Sequence, residues 1–222
     1  MGSPYKWDAH PTTVGAEYCD ALYRAAEAAI CLMEYSHGLT LYREYLSKCP
    51  ESPGAWHGLA ICLEATGHGD EALRAYEKAL RLHLRSGGAR DLLWAGWCAI
   101  KLGRYELAYE LFRESVRMDP GYAYTWHSLA VAAMRIGRRE EGMEAMERYR
   151  ALVRERPYER RECEGVSMLI ESLESLQRVA DGQGIVEVVR DLLTRAVTKH
   201  GMRCKHVLGK YVADGFPGPT QF

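Results

Sequence analysis

Between Pro53 and Gly137 the same residue classes return three times at nearly constant offsets, and no other feature constrains the chain as strongly. The frames begin at Pro53, Ala89 and Ala123, which are 36 and 34 residues apart. Their fourth positions hold Trp56, Leu92 and Trp126, and their eighth positions hold the small residues Ala60, Gly96 and Ala130. At the fifteenth stand Gly67, Gly103 and Gly137, suited to ending a helix in the left-handed conformation. Beyond them Ala72, Ala108 and Gly142 are small, Tyr76, Phe112 and Met146 are large, and Ala79 and Ser115 are small again. Large and small side chains alternating at helical spacing predict helical hairpins, each with an apolar face that only a neighbouring hairpin can cover.

These residues resemble the tetratricopeptide repeat, a helix-turn-helix unit that stacks into a right-handed superhelix. The likeness extends over residues 53 to 156, and the segment from Asp119 to Trp126 is similar to the family's inter-repeat junction. Leu84, where the family often has proline, and Tyr149, where it has a small residue, depart from the pattern. The resemblance implies an all-α fold: a right-handed α-solenoid of stacked hairpins with a divergent helical segment after it.

The chain has 29 basic and 30 acidic side chains, so no net field draws it to nucleic acid or an anionic membrane. Its seven cysteines include no C-x-x-C pair, and an odd, scattered set argues against a disulfide framework and against a zinc site. No apolar run suits a signal peptide or a membrane span, since Arg24, Glu27 and Glu34 interrupt the best candidate. A soluble protein of the reducing cytoplasm is expected.

Four regions follow. Residues 1–14 carry Pro4 and Pro11 without periodicity and read as a tail. Residues 15–157 hold one degenerate and three good repeats. In the degenerate one, a helix from Ala16 to Tyr35 is expected to turn at His37-Gly38 into a second helix ending before Pro50. Residues 158–214 read as a helical cap for the stack. One stripe joins Val166, Leu169, Ile170, Leu173, Leu176 and Val179, another runs from Ile185 to Ala196, and a short basic helix follows. Residues 215–222 contain Pro217 and Pro219 and cannot be regular.

If the resemblance holds, the first helix of each repeat lines a concave surface. The implied groove residues are Tyr23, His57, Ile61, Arg90, Trp94, Trp97, Lys101, Tyr124, His127, Met134 and Arg135. Trp94 and Trp97, three apart, share a helix face and would form an aromatic trough for an amphipathic helix or an extended peptide. The same tryptophans could instead pack beneath neighbouring helices. The Lys, Asn and Arg set with which some family members hold a C-terminal carboxylate is missing, because Gly58 and Trp94 occupy positions that need polar groups.

Catalytic motifs are absent: no H-E-x-x-H, P-loop or G-x-S-x-G occurs, and no cofactor or metal is expected. The predicted function is a non-catalytic adaptor, scaffold or assembly factor. One alternative is a structural subunit whose own C-terminal helices fill the groove through Val207, Leu208, Tyr211 and Val212. Another is binding of nucleic acid or an acidic partner through Lys199, Arg203, Lys205 and Lys210, although four cations on a near-neutral chain read more readily as a solvated face. An uncapped stack also allows a homodimer.

Overall fold

The structure is a computed structural model that describes residues 13–153, 161–179, 183–200 and 204. The expected N-terminal tail, the segment around Pro157, the basic helix after Arg203 and the C-terminal tail lie wholly or largely outside the described residues. The described residues form ten helices: α1 (Thr13–Cys31), α2 (Tyr35–Lys48), α3 (Pro53–Ala65), α4 (Gly69–Ser86), α5 (Ala89–Lys101), α6 (Tyr105–Met118), α7 (Ala123–Arg135), α8 (Arg139–Val153), α9 (Arg161–Val179) and α10 (Gln183–His200). They divide into two units, one comprising residues 50–158 and the other the two ends of the chain.

The middle unit stacks the hairpins α3 and α4, α5 and α6, and α7 and α8. Their corners share one hydrogen-bond pattern. The amide of Gly67 donates to the Glu64 carbonyl and that of His68 to Leu63, at 3.2 and 2.8 Å. Gly103 with Arg104, and Gly137 with Arg138, repeat this geometry. In each case glycine holds a positive φ, 85°, 73° and 81° in turn, so carbonyls that the helix end would orphan are satisfied. α3 starts at Ser52, whose hydroxyl caps the Ala55 amide, with Pro53 at the first turn. Trp56 and Trp126 staple the chain entering their repeats, each indole donating to a proline carbonyl six residues earlier, Pro50 and Pro120, at 2.7 and 2.8 Å. The large residues Tyr76 and Phe112 are fully buried, and Gly96 allows the Phe112 ring to lie against the backbone of α5.

The terminal unit joins α1 and α2 to α9 and α10. The helices expected as a cap pack on this first pair, α9 along α1 and α10 on α9 and α2. α1 offers a small-residue face of Ala21, Ala25, Ala28 and Ala29, all fully buried. Gly165 of α9 meets its end so closely that an added Cβ would lie 3.1 Å from that of Cys31. The α9 stripe Val166, Leu169, Ile170, Leu173 and Leu176 is buried as expected. Ion pairs flank the contact: Arg24 with Glu171 at 3.3 Å, Arg178 with Glu17 at 2.8 Å, and His37 with Asp191 at 3.0 Å.

The corner of the degenerate hairpin differs from the expected one. α1 ends at Cys31, and His37 and Gly38 lie inside α2. Met33 occupies the corner with φ 61°, and the bonds from Met33 to Ile30 and from Glu34 to Ala29 reproduce the pattern of the three glycine corners. A side chain in this conformation costs on the order of 1 kcal/mol, and Met33, 58% exposed, recovers little by packing. Met33→Gly is expected to stabilise the protein by about 0.5–1 kcal/mol, read as a higher thermal midpoint. A lower midpoint would show that the thioether makes a contact worth more than the backbone strain.

Candidate functional site: an aromatic row across three repeats

α3, α5 and α7 are the first helices of consecutive hairpins, so side chains at matching positions fall side by side. His57 of α3 lies edge-on to Trp94 of α5, with ring centroids 5.3 Å apart. Tyr124 of α7 stands 6.3 Å from Trp94 and 6.1 Å from Trp97, stacking on the latter. The row continues through His127, stacked on Tyr124 at 6.0 Å, to Tyr149 of α8 at 5.3 Å. Six rings on four helices thus touch in sequence.

The two tryptophans contribute differently. Trp97 is anchored, its indole donating to the Ser128 hydroxyl at 3.0 Å and its ring lying 5.9 Å from Phe112. Trp94 is half-buried and makes no hydrogen bond to another described residue, while Tyr124 is 39% exposed. Packing holds one side of the row and leaves the other open. The tryptophans therefore serve both roles that their spacing allows, as support and as surface.

The expected cations are present but already engaged. Lys101 bonds to Glu64 at 2.8 Å, linking α5 to α3. The guanidinium of Arg90 lies 5.4 Å from the Tyr122 ring centroid, and that of Arg135 lies 5.6 Å from that of Tyr105. Ile61 is half-buried, and Met134 is 48% exposed. Tyr23 does not join this surface: it belongs to the terminal unit, 3% exposed between the rings of Tyr42 and Tyr45.

The expected Met134 and Arg135, with Val131 of the same helix α7, line a cavity of about 600 Å³ whose other wall, Met143, Met146 and Arg150 of α8, the sequence had not pointed to. Met146 occupies the repeat position of the fully buried Tyr76 and Phe112 yet remains half-buried, because α7 and α8 end the stack of this unit. The signal was available in Met146, a large residue at a position that the next hairpin would normally cover. Thioethers there make an adaptable apolar lining, with the guanidiniums of Arg135 and Arg150 at its edge.

Beneath the row lies a polar cluster. His57 Nδ1 stands 3.2 Å from Cys98 Sγ, and His83, 3% exposed, pairs with Asp91 at 2.8 Å through Nδ1. Burial drives His57 down to about 3, with help from the nearby His83 and Lys101, and pushes the Cys98 thiol up to about 12. Both partners are therefore neutral, and the pair lacks the thiolate that nucleophilic chemistry needs. It makes a packed floor under the row.

Among the described residues, no group of three His, Cys, Asp or Glu side chains is placed to hold a metal ion, and no helix is long and apolar enough to cross a membrane. Of the basic stretch, Lys199 is exposed in the last turn of α10, while Arg203, Lys205 and Lys210 lie outside the described residues. Cys204 is disulfide-bonded, unlike the reduced set that cysteine spacing led one to expect; Cys19, Cys31, Cys49, Cys62 and Cys98 are reduced.

Three consecutive hairpins with one corner geometry are joined by an independent match, because residues 63–123 fit the family model of the tetratricopeptide repeat. This stretch of the chain consists of tetratricopeptide repeats. The chain is 31% identical over 155 residues to FlbA of Caulobacter vibrioides, a match covering 63% of this chain and 26% of that protein. The chain thus matches about a quarter of the length of this relative. Among solved structures, MamA from Desulfovibrio magneticus RS-1 is similar with TM-score 0.45 and 18% identity, over 84% of this chain and 96% of that one. YrrB, a tetratricopeptide repeat protein described with an unusual peptide-binding site, gives TM-score 0.43 and 15% identity, over 78% and 81%. Structural likeness of this degree says nothing of partners.

Proposed function

We propose that this protein is a non-catalytic adaptor, scaffold or assembly factor that binds an amphipathic helix or extended peptide of another protein along the aromatic row. Proteins of the family generally mediate protein–protein interactions and are typically non-catalytic. The observation that carries the reading is the open side of the row, where Tyr124 stands exposed between Trp94 and His127 over a packed floor. Rigid rings held before a partner arrives lose little entropy on binding, so ordering costs fall on the peptide. The Met134, Met143 and Met146 cavity extends the surface with an apolar recess for a side chain. A cytoplasmic setting belongs to the same reading and is supported by the reduced thiols, with the Cys204 disulfide weighing against it.

Affinity capture from the native source tests this reading with a Trp94→Ala/Tyr124→Ala double variant. An unchanged melting curve verifies that the variant folds. Specific partners are expected to bind the variant at least about tenfold more weakly, while Arg81→Ala on α4 leaves capture unchanged. Full retention by the folded double variant would contradict the assignment. The rival in which the chain's own C-terminal helices fill the row rests on Val207, Leu208, Tyr211 and Val212, which lie outside the described residues.

A further inference from the structure

The Sγ atoms of Cys19 and Cys49 stand 3.1 Å apart, both buried, and 30 residues separate them in sequence. Cys19 lies on α1, and Cys49 caps α2 with its amide bonded to the Tyr45 carbonyl. The row of rings uses neither residue. We propose that Cys19 and Cys49 form an oxidisable dithiol, which a low-molecular-weight disulfide converts into an intrachain bridge tying α1 to the end of α2. From 3.1 Å, bond formation requires the sulfurs to close by about 1 Å, a movement within the reach of a terminal helical turn.

The chemistry balances as two thiol–disulfide exchanges. One cysteine, as thiolate, attacks the small disulfide, forms a mixed disulfide and expels one small thiolate. The second cysteine's thiolate attacks the protein sulfur of that mixed disulfide and expels the other. The two cysteine protons end on the two expelled thiols, the protein loses two electrons, and the small disulfide gains them. Burial, reinforced by the Cys49 contact, pushes the Cys19 thiol up to about 12, so Cys19 in the closed pair is protonated and unreactive. The nearby Glu44 acts in the same direction and Lys48 against it. Attack therefore proceeds through opening of the last turn of α2, where Ser47 and Lys48 are already exposed. The pair resists brief oxidant exposure yet equilibrates with a sustained redox buffer. Once formed, the bridge restrains the unfolded chain over the intervening loop.

The full chain, equilibrated natively in oxidised and reduced glutathione, is alkylated and its peptides are mapped by mass. The expected result is a Cys19–Cys49 linked peptide that accumulates as the buffer becomes more oxidising and disappears with dithiothreitol. It is accompanied by a rise in thermal midpoint on the order of 5–10 °C. Cys19→Ser, which keeps the disulfide at Cys204, is expected to lose that linked peptide and that part of the rise. Mapping of the wild type alone decides the matter if the variant folds poorly. Alkylation of both Cys19 and Cys49 throughout the oxidising range, or their capture only in links to other cysteines, would overturn the proposal.

Discussion

Gly96→Val is expected to destabilise the protein by roughly 3 kcal/mol or more, lowering the thermal midpoint by about 6–12 °C. A Cβ at position 96 would lie 2.4, 2.7 and 2.8 Å from three carbons of the Phe112 ring. That ring is fully buried and backed by Trp97, so it cannot swing aside as the free end of a flexible chain would. Valine adds branching at the same carbon and gains little as a helix former. The measurement that identifies the cause is a double-mutant cycle. Phe112→Ala alone should cost about 3–5 kcal/mol by opening a cavity. Combined with Gly96→Val, the valine occupies part of that space, so the double variant should lose clearly less than the sum of the single losses. Additive losses would mean that the valine disturbs something other than this ring.

The second large effect is on acid stability, and its sign follows from His57. The imidazole is driven from its ordinary 6.5 to about 3 in the folded protein, first by burial and then by the neighbouring His83 and Lys101. Below pH 6.5 the unfolded chain takes up a proton that folded His57 refuses. Its contribution is thus complete above that value and shrinks as pH falls towards about 3. The loss amounts to roughly 1.4 kcal/mol per pH unit, or about 2 kcal/mol by pH 5. Burial pushes Glu64 up, but its bonds to Lys101 and Tyr76 together outweigh that and hold it low, so its contribution is lost only below its ordinary 4.5. Denaturant unfolding at several pH values should show the fall between pH 6.5 and 5, and His57→Leu should flatten it. An equal slope in that variant would place the titrating group elsewhere.

The acid effect bears on function because His57 is part of the floor. It touches Trp94, and protonation would force water or a counter-ion beneath the row. Partner binding by the folded protein is therefore expected to hold between pH 6.5 and 5, where folded His57 stays neutral, and to weaken only as pH nears about 3.

The sequence was most informative where a local rule acted alone. Gly67, Gly103 and Gly137 marked three corners because few other residues adopt positive φ cheaply, and the alternation of small and large residues located the faces of α3 to α8. The fourth corner escaped notice because Met33 carries the conformation without the glycine that advertises it. His37-Gly38 looked like a turn but is accommodated inside α2, where Gly38 is buried. Pairing of α9 with α1 was also hidden. The alanine face of α1 announced that some helix must approach closely, but nothing local specifies that Gly165 supplies the approach.

Site residues divided along the same line. Trp94, Trp97, Tyr124 and His127 came together because repeat position is a local property that translates directly into shared surface. Tyr23 held an equivalent position by count but sits among Tyr42 and Tyr45 in the terminal unit. Charges at the groove edge were legible as residue types and not as free charges, since Lys101 is spent on Glu64 and Arg90 and Arg135 lie over tyrosine rings. Those engagements depend on neighbours one repeat away, which pattern alone does not weigh.

The most direct test of the central claim is hydroxyl-radical footprinting of the protein with and without a captured partner, since tryptophan, tyrosine and methionine side chains report their own exposure. Protection is expected at Trp94, Tyr124, Met134 and Met143, with the exposed Met33 and Met118 unchanged. Unaltered labelling of the row, with protection confined to other surfaces, would contradict it.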